Sequence, residues 1–126
     1  MVTWILWALI LAMLAWMGFN YIRIRRAAKI VDNEEFEALI RTGQLIDLRD
    51  PAEFHRKHIL GARNIPSSQL KTSLAALRKD KPVLLYENQR AQRVTNAALY
   101  LKKQGFSEIY ILSYGLDSWK GKVKTS

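Results

Sequence analysis

The chain has 126 residues, enough for one domain of modest size, and a formal net charge of +9 from 20 Lys and Arg against 11 Asp and Glu. It has no cysteine, which excludes disulfides, thiolate metal sites and cysteine nucleophiles. Its two histidines, His55 and His58, stand without a surrounding carboxylate cluster, so neither a metal nor a cofactor is expected.

Residues 2–22 are almost entirely Trp, Ile, Leu, Ala, Met, Val and Phe, and the first charged side chain is Arg23. At about 1.5 Å per residue, a helix of that length crosses a hydrocarbon core of about 30 Å. Trp4 and Trp7 near one end and Tyr21 near the other suit the two interfaces, whereas Trp16 lies deeper. A cleaved signal peptide calls for a basic start, a shorter apolar run and an Ala-x-Ala site, none of which is present. A core helix this apolar on every face needs a larger protein around it. The expectation is a transmembrane helix over residues 1–22.

A basic juxtamembrane segment follows at residues 23–29, with Arg23, Arg25, Arg26 and Lys29. Basic flanks stay on the cytoplasmic side. The N-terminus is therefore expected outside and the domain at the cytoplasmic face of the cell membrane. Membrane lipid is the expected partner of residues 2–22 and of this cluster. The remaining domain is mildly basic and has no basic run interleaved with aromatics, so no nucleic acid partner is expected.

Residues 30–121 read as one domain of alternating strands and helices, followed by a basic tail at 122–126. Asp32 with Glu35 forms a capping-box pattern, Phe36, Leu39 and Ile40 share one helical face, and Gly43 is the expected C′ residue. Leu45, Ile46 and Leu48 predict a strand around Asp47, and Pro51 a turn or single helical turn carrying Phe54. Ile59, Leu60 and Ile65 suggest a brief strand bent at Gly61 and Pro66. Ser68 is expected to cap a helix containing Leu70, Leu74 and Leu77, which Pro82 stops.

Residues 83–86 form a continuous apolar run, as in a strand covered on both faces. After a polar loop, Val94, Ala97, Ala98 and Leu101 share one face of a helix ending at Gly105. Ile109, Ile111 and Leu112 predict the last strand, and Gly115, Leu116 and Trp119 open a closing helix. The order implies an α/β fold: a central, mostly parallel sheet of about five strands with helices on both faces.

In such sheets the working loop lies beyond the carboxyl end of a central strand. Here that loop is Glu87, Asn88, Gln89, Arg90, Ala91, Gln92 and Arg93. It enters a helix N-terminus, whose free N–H groups and dipole attract anions. One reading is a pocket for an anion or a sulfur compound. The plainer and preferred one is that Glu87 satisfies that field itself, paired with Arg90 or Arg93. Glu87 lacks an oriented partner for a role as nucleophile or base, and Ser67, Ser68, Ser73 and Ser113 lack a nucleophile-elbow context.

The run Leu45-Ile46-Asp47-Leu48-Arg49-Asp50-Pro51-Ala52-Glu53-Phe54 resembles the Asp-x-Arg strand-and-turn signature of the rhodanese-like domain. His58-Ile59-Leu60-Gly61-Ala62-Arg63-Asn64-Ile65-Pro66 is similar to that family's next motif, with Lys57 where a glycine often precedes it. Gly105-Phe106, Gly115 and Trp119 agree with its later positions. Active members are implied to carry a cysteine directly after the central strand and to shuttle sulfane sulfur on it as a persulfide. Here that position is Glu87, and the family's glycine-containing loop is replaced.

The resemblance implies a rhodanese-like fold with no catalytic residue. Asp47 and Arg49 would hold the loops around the former pocket, Asn64 and Pro66 would shape a turn, His58 would be a hydrogen-bonded structural residue, and Trp119 would pack the last segment. The expected function is a membrane-anchored, inactive rhodanese-like domain acting as a protein-interaction or regulatory module. The alternatives are a sulfurtransferase-related protein that binds sulfur compounds or a partner's persulfide, and an anion sensor at the degenerate loop.

Overall fold

A computed structural model of the chain describes residues 2–88 and 92–125. Gln89, Arg90 and Ala91 of the expected loop, and the side chains of Arg25 and Arg26, lie outside the described residues. The first element is a helix, α1 (Val2–Ala27). Its stretch Val2–Arg23 is long and apolar enough to cross a membrane, and none of it is buried against the domain. Ala27 and Ala28 are buried, and strand β1 (Lys29–Val31) starts directly after them. The basic segment is thus the last turn of α1 and the start of the sheet.

The domain continues through α2 (Asn33–Ile40), β2 (Gln44–Asp47), α3 (Pro51–Arg56), β3 (Lys57–Ile59) and β4 (Arg63–Asn64). Two 3-10 turns, Ser67–Gln69 and Lys71–Ala76, lead to β5 (Val83–Tyr86) and α4 (Gln92–Lys103). Then come β6 (Ile109–Leu112), a 3-10 turn (Leu116–Ser118) and β7 (Val123–Thr125). Five strands form a parallel sheet in the order β1-β6-β5-β2-β4, and β3 pairs antiparallel with β7 beside it.

Local chemistry explains the helices. The Asp32 side chain accepts the Glu35 N–H at 2.9 Å, and Glu34 and Glu35 suit the positive end of α2. Pro51 opens α3, where its missing N–H is no loss. In α4, Val94, Ala97, Ala98 and Leu101 form one buried stripe.

β5 is central and wholly buried. Val83 and Leu85 pack with the α4 stripe, while Leu84 and Tyr86 pack with Phe36 of α2 on the other face. Each fully buried side chain of this size contributes about 1.5–3 kcal/mol.

Four details depart from the sequence reading. Gly43 keeps a negative φ, so it is no left-handed C′ residue; a Cβ there would collide with Leu84, which explains the glycine by close packing. The segment around Leu70 and Leu74 forms 3-10 turns, with bonds spaced three apart such as Leu77 N–H to Leu74 O at 3.0 Å. Ile59 and Ile65 belong to separate stretches, with β3 outside the main sheet and β4 at its edge. The closing helix is a single 3-10 turn, and the tail holds β7.

Candidate functional site

The carboxyl end of β5 delivers Tyr86, Glu87 and Asn88 to the edge of the sheet where parallel folds place their sites. Glu87 is buried, and its Oε2 accepts the Val94 N–H at 2.8 Å. Val94 lies in the first turn of α4, so the carboxylate occupies the positive end of that helix and satisfies one of its orphan donors. The partner shown is thus a backbone amide of the helix. Of the two arginines expected to pair with Glu87, Arg90 lies outside the described residues, and Arg93 lines a cleft of about 320 Å³ with Ser67, Lys71 and Tyr100. Gln92 donates to Asn96 at 2.8 Å.

The backbone beside Glu87 is clasped by the turn after β6. Leu116 N–H donates to the Glu87 carbonyl at 2.8 Å and Asp117 N–H to that of Asn88 at 3.0 Å. The approach is close enough that a Cβ on Gly115, at φ +70, would fall 2.6 Å from the Glu87 oxygen.

Behind the loop lies a buried polar network. Asp47 is completely buried and accepts from Arg49 Nη2 and from the Tyr86 hydroxyl, each at 2.8 Å. The Arg49 backbone N–H adds a bond to Asp47 at 2.9 Å. The Tyr86 oxygen accepts the Ile59 N–H at 3.0 Å. Arg49 also donates to Asn88 Oδ1 at 3.0 Å and to the Lys57 carbonyl. Asn88 Nδ2 donates to Glu53 at 2.7 Å.

Burial, reinforced by the Asp47 charge, pushes the Tyr86 pKa far up, so the phenol stays protonated. Burial alone would lower that of Arg49, but its hydrogen bond and attraction to Asp47 outweigh this and raise it.

Asn64 Nδ2 bonds the carbonyls of Asp47 at 3.2 Å and Arg49 at 2.9 Å. His58 Nδ1 lies 2.7 Å from the Phe54 carbonyl, and its ring stacks on Phe54 with centroids 3.8 Å apart. Trp119 meets Phe36 edge-on at 5.8 Å. Among the described residues, no three His, Cys, Asp or Glu side chains converge to hold a metal.

Glu53, Arg56, Lys57 and Asp117 escaped the sequence reading. They join Arg49 and Asn88 around a polar cleft of about 470 Å³. Only their proximity to the two motifs signals them. Chemically, the cleft offers charged and amide groups, and Glu87, next to it in the chain, ends in oxygen. That atom cannot carry a sulfane sulfur.

A family model described as the rhodanese-like domain matches residues 32–122. An uncharacterized protein of Bacillus subtilis, YqhL, is 48% identical over 113 residues, 90% of this chain and 89% of that one. That alignment is longer than the matched domain and so reaches into α1. The thiosulfate sulfurtransferase GlpE of Stutzerimonas stutzeri is 36% identical over 95 residues, 73% of this chain and 84% of that one. Among solved structures, a rhodanese-related protein from Thermoplasma volcanium superposes with a TM-score of 0.70 at 23% identity, covering 78% of this chain and 99% of that one.

Proposed function

Because the chain belongs to the rhodanese-like domain family, we propose that it is a catalytically inactive member, anchored by α1, that serves as an interaction or regulatory module at the cytoplasmic face of a membrane. The observation that carries the reading is Glu87. It follows the central strand, where sulfurtransferases of this fold place their cysteine, and its carboxylate is bound to the Val94 N–H of α4 at 2.8 Å. An anion built into the chain fills the helix terminus that would otherwise cradle a substrate anion. With no cysteine elsewhere, the chain has no thiol to take the sulfur.

The anchor rests on the exposed apolar helix and on the relative whose similarity extends into it. The basic residues after the span favour a cytoplasmic domain. Glu87 and Asn88, at the start of the loop, are held by contacts within the chain, and we assign this edge to a protein partner.

Thiosulfate-to-cyanide sulfur transfer by the purified full chain tests the reading. No turnover above a Glu87→Ala control is expected; turnover that depends on Glu87 overturns it. A second reading, a domain that receives sulfur compounds or a partner's persulfide, draws on the cationic side of the polar cleft at Arg49, Arg56 and Lys57. Saturable shifts of Asn88 and Arg93 amides on titration with thiosulfate favour it.

A further inference from the structure

We propose that the amino-terminal edge of the sheet is a basic platform that lies on an anionic lipid surface, with the Glu87 edge turned away from the bilayer. The inference rests on α1 being a membrane anchor and adds an orientation to it.

Topology supplies the geometry. The main sheet is parallel, so every strand starts at one edge and ends at the other. α1 enters at the starting edge, because only Ala28 separates its last residue from β1 and both Ala27 and Ala28 are buried. The helix is therefore seated on the domain, with no free linker to let it tumble. Helices that return antiparallel to the strands end at that same edge. The register Gln44 to Val83 and Val83 to Ile109 sets the segments before β2, β5 and β6 side by side there.

Those segments and helix ends are cationic and exposed: Lys29, Arg41, Lys79, Lys81, Lys102 and Lys103. Direct contacts tie them together. Gln44 Nε2 donates to the Arg78 carbonyl at 2.7 Å, fixing the lysine-rich turn beside β2. Lys79 Nζ lies 5.9 Å from the Phe106 ring and against Gly105, just beyond the end of α4. Asp80, between Lys79 and Lys81, is paired with Arg78.

The opposite edge carries Asp32, Glu34, Glu35, Asp50 and Asp117. The anchor-side edge is thus predominantly positive, whereas the loop edge carries both signs, with exposed Arg56, Lys57 and Arg93 beside those acids. An anionic membrane attracts the first edge more strongly than the second. The shortness of the connection brings the positive edge within a Debye length, about 8 Å at physiological salt, of the surface.

The absence of native cysteine allows a direct test. Full chain carrying Ser107→Cys at the basic edge, or Tyr114→Cys at the loop edge, is reconstituted into vesicles of phosphatidylcholine alone or with phosphatidylglycerol. The rate of maleimide labelling is then followed. Ser107→Cys is expected to label several-fold more slowly in the anionic vesicles and to recover in high salt, while Tyr114→Cys labels equally in both.

Adding Lys79→Gln, Lys81→Gln, Lys102→Gln and Lys103→Gln should abolish the protection while the chain still floats with the vesicles. Equal labelling of Ser107→Cys in both lipids overturns the proposal, as does protection of Tyr114→Cys in its place. Unchanged labelling together with tight DNA binding by the same edge also overturns it, and assigns the platform to nucleic acid. Failure of the chain to float at all refutes the anchor itself, a result distinct from floating without protection.

Discussion

Glu87 Oε2 and the Val94 N–H lie 2.8 Å apart in a buried setting, so this side chain has a structural duty apart from any chemistry. Glu87→Ala leaves a helix-terminal N–H without its partner and should destabilise the domain by about 1–3 kcal/mol. Glu87→Gln keeps an acceptor and should lose less; urea unfolding of both variants measures the difference. Tyr86 makes a pH-dependent contribution. Its folded pKa is raised, by burial first and the Asp47 charge second, above the ordinary 10.0 of an exposed phenol. The neutral ring is thus favoured in the folded state, and its stabilisation is complete below pH 10.0. As the pH climbs further, ionisation of the unfolded chain erodes it. Tyr86→Phe should flatten that alkaline decline, and at neutral pH should cost roughly 1–3 kcal/mol by leaving Asp47 and the Ile59 N–H short of a partner. Melting curves across alkaline pH for the two proteins show the contrast.

Elements differ in how openly the side-chain pattern announces them. α2, β2, β5, α4 and β6 were legible because capping residues, continuous apolar runs or a helical stripe mark each one. β1 was hidden, since Lys29-Ile30-Val31 is short and merges with a basic segment that reads as a membrane flank. β7 was hidden for another reason: all three residues are exposed, and backbone pairing with β3 rather than burial creates it. Leu70, Leu74 and Leu77 follow a helical spacing, yet no side chain caps the segment and the chain tightens into 3-10 turns. The polar cleft was not legible because Glu53 and Asp117 come together only through Asn88, which bonds the Glu53 side chain at 2.7 Å and accepts the Asp117 N–H at 3.0 Å. Gly115 shows how tightly the loop and the last turn fit. Gly115→Ala combines a left-handed backbone with a clash on the Glu87 carbonyl, so a loss of at least about 2 kcal/mol is expected. For a domain of this size that lowers the melting temperature by roughly 8–16 °C, read by circular dichroism.

At the scale of the whole molecule, one exposed apolar helix is joined to a domain whose own core is already complete. Val2–Arg23 of α1 is apolar and unburied, whereas Ala27 at its end is buried, and the proposed anchor places the apolar length in lipid. Leu11→Arg places a charge near the middle of the span and should raise the insertion cost by about 2.5–3.5 kcal/mol. Resistance of the chain to carbonate extraction is expected to fall accordingly, while a surface change such as Thr72→Ser leaves it intact. The family signature is retained in the two motifs apart from Lys57, and the departure that bears on chemistry lies in the loop after β5. The central claim is that this architecture persists without sulfur chemistry. Its most direct test is intact-mass spectrometry of the purified full chain after incubation with thiosulfate and, separately, with a persulfide-loaded sulfurtransferase. The account predicts an unchanged mass in both; covalent gain of a sulfur atom on any side chain would contradict it.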